Sequence, residues 1–140
     1  MDYESYREKF FTKPAPQPGF EFQGIYGTTL YFEDYEAAVE YYTRVLGKPA
    51  YIEGTGTRGW QLGNTWLTLL LGKDGNPQNM ELNIVMRSPE EADRLQAAFI
   101  EAGGVGEAPS DELMYGPVRY CSVQDPFGTN ILIICPLMED

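Results

Sequence analysis

Residues 27–47 read GTTLYFEDYEAAVEYYTRVLG, and this stretch decides the fold. Its opening alternates as a strand does. Thr28, Leu30 and Phe32 share one face, and Gly27, Thr29 and Tyr31 share the other. With the residues before it, a strand is expected over 23–32. Asp34 then stands where a helix N-cap belongs. Ala38, Tyr41, Tyr42 and Val45 recur at the three-to-four spacing of a buried helical stripe, which predicts a helix over 35–46. Gly47 supplies its stop. Three short strands follow near 50–53, 59–62 and 65–71, separated by glycine and asparagine turns.

The second half repeats this order. A strand is expected over 80–86, and Pro89 sits at a favourable first-turn position of the next helix. Ala92, Leu95, Phe99 and Ala102 form its apolar stripe, and Gly103 and Gly104 end it. Strands near 117–123 and 130–135 close the chain, joined by the turn Asp125-Pro126-Phe127-Gly128. Overlaid by pattern, Gly27 falls on Glu81, Leu30 on Ile84, Phe32 on Met86 and Ala38 on Ala92. The segment 63–68 falls on 128–133, which sets Leu67 on Leu132. Such internal repetition is informative because a missed repeat miscalls the fold. The expectation is an α+β fold of two β-α-β-β-β modules, with mixed curved sheets around a cleft. Residues 1–22 form an N-terminal arm with a short helix over 3–11 that Pro14, Pro16 and Pro18 would end. Residues 23–75 are the first module and 76–140 the second, with 23–137 as one fold unit.

The chain has 140 residues and a formal net charge of −11, with 43% hydrophobic and 14% aromatic residues. A packed core is within its means, and an acidic surface repels nucleic acid and anionic membranes. The same charge attracts cationic ligands, although from composition alone a solubility role is the simpler explanation. Cys121 and Cys135 lie in apolar runs and read as free buried thiols of a reducing cytoplasm. The polar N-terminal residues do not read as a signal peptide, so none is expected, and no apolar run is long enough to span a bilayer.

Two motifs carry a family likeness. Leu30-Tyr31-Phe32-Glu33-Asp34, with a helix containing Tyr41-Tyr42 and ending Val45-Leu46-Gly47, resembles the opening of glyoxalase and bleomycin-resistance proteins. Tyr115-Gly116, then a strand and Asp125-Pro126-Phe127-Gly128-Thr129-Asn130, resembles their closing hairpin. The likeness to this vicinal-oxygen-chelate superfamily, which includes extradiol dioxygenases, covers roughly residues 23–137. It implies a cleft inside the curved sheet. In catalytic members that cleft holds a divalent metal on His, Glu or Gln side chains from the first and last strands of the modules. The positions carried over are Gly27, Leu67, Glu81 and Leu132, the last lying seven residues after the Asp of the closing turn.

Those residues do not make a metal site. A catalytic divalent ion usually needs about three protein ligands. Glycine and leucine supply none, and the chain contains no histidine. That composition excludes a His-His-carboxylate iron site, a zincin motif and Ser-His or Cys-His nucleophile pairs. Gln23, Gln61 and Asn83 remain as spare donors should the alignment shift. No metal and no cofactor is expected. Glu81 reads as a cleft carboxylate that pairs with a cationic ligand or acts as a base; the alternative is a solvated strand-end acid. Asn83 shares its face, as do Thr29 and Tyr31 on the first strand. Trp60, Trp66 and Tyr115, with Leu132, complete the candidate lining, although sheet packing explains many aromatics. Tyr41 and Tyr42 are core.

One further motif, Gly54-Thr55-Gly56-Thr57-Arg58-Gly59, has the spacing of a dinucleotide loop. It precedes a strand rather than a helix, so no helix N-terminus would face a pyrophosphate, and a hairpin is expected. The reading is a non-catalytic small-molecule binding protein resembling bleomycin-resistance proteins, forming a homodimer and sequestering a cationic or aromatic compound, with antibiotic resistance as one outlet. The alternative is a metal-dependent lyase, isomerase or dioxygenase with displaced ligands.

Overall fold

The computed structural model describes residues 1–73 and 75–137. The arm begins with α1 (Tyr3–Phe10), whose first turn is capped by the Asp2 carboxylate accepting the Ser5 N–H at 2.8 Å. None of its side chains is buried. Residues 23–26, expected as strand, are not part of a sheet. Among the described residues their one hydrogen bond is that of the Tyr26 carbonyl, which accepts the Trp66 N–H at 3.0 Å.

The first sheet contains β1 (Gly27–Phe32), β2 (Tyr51–Glu53), β3 (Thr57–Leu62) and β4 (Thr65–Leu71), in the order β1-β4-β3-β2. β1 runs parallel to β4, and the other pairs are antiparallel. The parallel pair requires a crossover, which α2 (Tyr35–Leu46) supplies. Its stripe buries Tyr35, Ala38, Tyr41 and Tyr42 on the sheet. Asp34 occupies the N-cap position, but its side chain caps nothing. The glycine-rich segment at 54–59 turns β2 into β3, as expected of a hairpin.

The second sheet repeats the plan with β5 (Glu81–Val85), α3 (Pro89–Glu101), β6 (Ser110–Leu113), β7 (Pro117–Gln124) and β8 (Asn130–Pro136), in the order β5-β8-β7-β6. Here the cap works: the Ser88 hydroxyl accepts the Glu91 N–H at 3.1 Å, and Pro89 follows it. β6 is the strand that hydrophobic patterning does not reveal. Its sequence Ser-Asp-Glu-Leu is short, polar and acidic, as protected edge strands often are. Arg119 of β7 holds it from behind, donating to Asp111 of β6 at 2.8 Å and to Asp93 of α3 at 2.9 Å.

The strand register corrects the overlay of the two halves. Thr29 pairs with Thr68, and Asn83 pairs with Leu132, so Thr68 and not Leu67 is the counterpart of Leu132. Anchoring on the turn glycines misleads because β3 and β4 are joined by residues 63–64, whereas β7 and β8 are joined by 125–129. A slip of one residue moves a side chain to the opposite face. Leu67 accordingly packs in the core, 1% exposed.

One core joins the modules. Phe32 of the first meets Phe127 of the second with ring centroids 5.5 Å apart, Tyr42 meets Phe99 at 6.1 Å, and Trp60 backs Tyr42 at 6.4 Å. A buried polar knot lies at its centre. Asp125, 3% exposed, accepts the Tyr42 hydroxyl at 2.7 Å on Oδ2, and the N–H groups of Phe127 and Thr129 at 2.9 and 2.8 Å on Oδ1. The Asp-Pro-Phe-Gly turn of one module is thus bonded to the helix of the other. The Tyr41 hydroxyl donates to the Phe99 carbonyl at 2.7 Å. Cys121 and Cys135 are free and buried. No helix among the described residues is long and apolar enough to cross a membrane.

Candidate functional site

Each sheet buries one face against its helix and leaves the other open. On the first sheet the register puts Gly27, Thr29 and Tyr31 of β1 on the open face, beside Trp66, Thr68 and Leu70 of β4. Gly59 and Gln61 of β3 and Tyr51 of β2 continue it. On the second sheet the open face carries Glu81, Asn83 and Val85 of β5, then Asn130, Leu132 and Ile134 of β8, then Tyr120, Ser122 and Gln124 of β7.

The first face contains a recess of about 480 Å³ lined by Tyr26, Tyr51, Trp66, Gly27, Gly59 and Thr29 among others. Its shape follows from two missing side chains. A Cβ at Gly59 would lie 3.5 Å from the Trp66 ring and 3.2 Å from the Tyr51 Cβ, so glycine lets the indole lie close over β3. Tyr51 and Trp66 meet edge to face at 6.5 Å, and the Tyr51 hydroxyl donates to Glu53 at 2.8 Å. That bond, followed by the nearby carboxylate charge, raises the Tyr51 phenol above its ordinary value. At Gly27 a Cβ would fall 2.1 Å from the Trp66 carbonyl oxygen. The result is a slot with aromatic walls, hydroxyl groups along one side and room for a flat ring.

Two other recesses matter. Glu81 stands in one of about 360 Å³ with Glu107, Ser122, Gln124 and Asn130. The widest, about 720 Å³, runs between the modules, with Gln61 and Trp66 on one side and Asn83 and Val85 on the other.

The candidate residues therefore divide. Thr29 and Trp66 share the aromatic slot, and Trp66 also reaches the groove that holds Asn83. Tyr31 lies on the same open face, 54% exposed. Glu81 sits in a different recess from the aromatics, so one chain does not gather carboxylate and rings in a single cleft. Leu132 has the open-face register but is buried, which leaves it a packing role. Tyr115 stands on the β6–β7 turn, 86% exposed and away from all three recesses. Trp60 must be withdrawn: it faces α2, 3% exposed, and its indole N–H donates to the Gly47 carbonyl at 2.8 Å. Its parity in β3 is opposite to that of Gly59 and Gln61. Tyr26 and Tyr51, which sequence reasoning did not select, take its place. Counting β2–β3 register backward from Gly59 would have found Tyr51.

A divalent metal does not fit the corrected positions. Gly27, Thr68, Glu81 and Leu132 offer one carboxylate and one hydroxyl, and the Trp66 carbonyl leaves no space for a side chain at 27. Among the described residues no three His, Cys, Asp or Glu side chains lie together as a metal site.

The fold is that of the glyoxalase, bleomycin-resistance and dioxygenase structures. A glyoxalase/bleomycin resistance protein from Albidiferax ferrireducens superposes with a TM-score of 0.66 at 20% identity, over 79% of this chain and 98% of that one. A glyoxalase-related enzyme from Fulvimarina pelagi gives 0.62 at 21% identity, over 81% and 88%. A glyoxalase/bleomycin resistance protein/dioxygenase family enzyme from Burkholderia phytofirmans gives 0.63 at 18% identity, over 80% and 98%. No family model and no curated protein matches the sequence.

Proposed function

We propose that this chain binds a small molecule without transforming it, taking a planar aromatic compound, neutral or cationic, into the slot on the open face of the first sheet. The observation that carries this reading is the pair of glycines, Gly27 and Gly59, flooring a recess walled by Tyr26, Tyr51 and Trp66. Binding sites are mostly apolar with a few polar groups to orient the ligand, and Thr29, Thr68 and the Tyr51–Glu53 pair supply these. Aromatic faces attract cations by roughly 0.5–2 kcal/mol, which suits a ligand drawn to a chain of net charge −11. The donor set at the corrected positions supports binding over metal-assisted catalysis.

The protein acts as a homodimer in the reducing cytoplasm, sequestering a compound such as a toxic aromatic base. Support for the compartment comes from two cysteines that are both free and buried. The test is a thermal-shift screen of planar amines and uncharged aromatics, followed by calorimetry on the best binder, since a ligand of the folded state raises its melting temperature. Binding that survives Trp66→Leu and Tyr51→Ala unchanged would place the ligand elsewhere.

A further inference from the structure

The glycine-rich hairpin Gly54-Thr55-Gly56-Thr57-Arg58-Gly59, which does not serve a dinucleotide, faces a recess of its own. β3 sends alternate residues to opposite faces, so Gly59 floors the aromatic slot while Arg58 turns to the α2 side. There the hairpin meets the first two turns of α2 around a recess of about 320 Å³, lined by Tyr35, Glu36, Val39, Glu40, Thr55 and Arg58.

Three groups in this recess are left unused by the fold. Tyr35 is 5% exposed, yet its hydroxyl has no hydrogen-bond partner among the described residues. Native proteins seldom bury a hydroxyl unmet, because the group gives up its bonds to water and gains none. The Arg58 guanidinium commits Nη1 to the Gly54 and Thr57 carbonyls, at 2.9 and 2.7 Å. Its Nε and Nη2 remain, the adjacent pair that grips a carboxylate side-on. Neither Arg58 nor Glu36 forms an ion pair among the described residues, whereas Glu40 is held by Arg44 at 3.2 Å. Burial raises the Tyr35 phenol above its ordinary value and the Arg58 charge opposes that rise, so the two groups lie within electrical reach of each other.

The placement of charge selects the ligand. Arg58 and Thr55 on the hairpin, with the Tyr35 hydroxyl, are donors suited to a carboxylate. Glu36 on the helix suits an ammonium group, and with Glu40 it repels a phosphate. Val39, half-buried between them, offers an apolar wall. We propose that this recess binds a free α-amino acid with a small apolar side chain, its carboxylate on Arg58, Tyr35 and Thr55 and its ammonium on Glu36. The site lies on the opposite side of the sheet from the aromatic slot and stands whether or not the slot is occupied.

The test is a titration of the full ¹⁵N-labelled chain with L-valine and with its two halves, isovalerate for the carboxylate and isobutylamine for the ammonium. Valine should shift the backbone amides of 35–40 and 54–58 saturably, and each half should bind at least tenfold more weakly. Glu36→Gln should reduce the affinity for valine to that for isovalerate. Tyr35→Phe should weaken both severalfold, while the ligand-free variant keeps or raises its Tm because it loses only an unmet hydroxyl. A Tyr35→Phe chain with a lowered Tm would show that the hydroxyl already has a partner, which overturns the proposal. So would valine shifts that do not saturate, that centre on 27 and 66 in the slot, or that inorganic phosphate reproduces. Valine that shifts nothing leaves the recess to water and overturns it as well.

Discussion

Removing the Tyr42 hydroxyl tests the polar knot between the modules. The Asp125 carboxylate is buried and accepts three hydrogen bonds, and Tyr42 supplies the one that comes from the other module. Tyr42→Phe keeps the ring among Phe32, Trp60 and Phe99 but leaves Oδ2 without its partner. A hydrogen bond to a charged group contributes about 1.5–3 kcal/mol, and a buried acceptor left unmet loses its desolvation as well. The expected loss is about 2–3 kcal/mol. For a chain of this size that is roughly a 6–10 °C fall in Tm. Urea unfolding followed by tryptophan fluorescence measures it, because Trp60 packs 6.4 Å from Tyr42. The m value should not change. Asp125→Asn keeps the shape and removes the charge, and the double variant should be less destabilised than the sum of the singles by about 1 kcal/mol or more. A loss under about 0.5 kcal/mol for Tyr42→Phe, or strict additivity, would refute the reasoning. Burial, and then the charge of Asp125, push the Tyr42 phenol far above its ordinary value, so it remains the donor throughout the neutral range.

Four more outcomes are expected. Gly59→Val should leave far-UV circular dichroism intact but fill the floor of the aromatic slot and abolish binding of the best screened ligand; calorimetry with unchanged affinity would remove the slot from consideration. Glu81→Gln should weaken a cationic ligand severalfold only if the dimer brings Glu81 to the slot; equal affinity for charged and neutral analogues in both proteins would confine Glu81 to solvation. Elemental analysis of protein purified without chelators should find well under one equivalent of zinc, nickel, manganese or iron, and a stoichiometric metal would contradict the donor count. Burial, and then the Asp125 charge, push Tyr41 up to about 12. A phenol protonated more tightly in the folded state gives stability that is present below pH 10 and lost as pH rises toward 12. Tyr41→Phe should therefore flatten part of the alkaline decline in Tm, and an identical pH profile would exclude that contribution.

The repeat was legible because burial writes period two into strands and period three-to-four into helices. Gly27–Phe32 and Tyr35–Leu46 both declare themselves in this way. What stayed illegible follows from positions where that pattern carries no information. β6 is an exposed acidic edge with no apolar face to read. Trp60 reads as a cleft residue from its type alone, but residue type says nothing about parity, and parity depends on where β3 pairs. The Leu67 slip has the same origin, since turn lengths differ between the modules and glycines alone do not fix register. Tyr51 is not legible because its strand is three residues long with no buried face, so its neighbourhood is set by pairing with Gly59 and not by its own pattern. The division of Glu81 from the aromatics is a matter of module placement, which local periodicity does not encode.

The contact at Gly27 bears on how this chain can change over generations. A side chain there would meet the Trp66 carbonyl at 2.1 Å, so a histidine or glutamate at 27 would have to part β1 from β4. Their parallel pairing, from Gly27 opposite Trp66 to Phe32 opposite Leu71, is the seam of the first sheet. Installing a metal ligand at 27 therefore demands a coordinated rearrangement of two strands. The slot walls at Tyr26 and Tyr51 meet no such backbone obstacle, so ligand preference can change there while position 27 stays fixed as glycine.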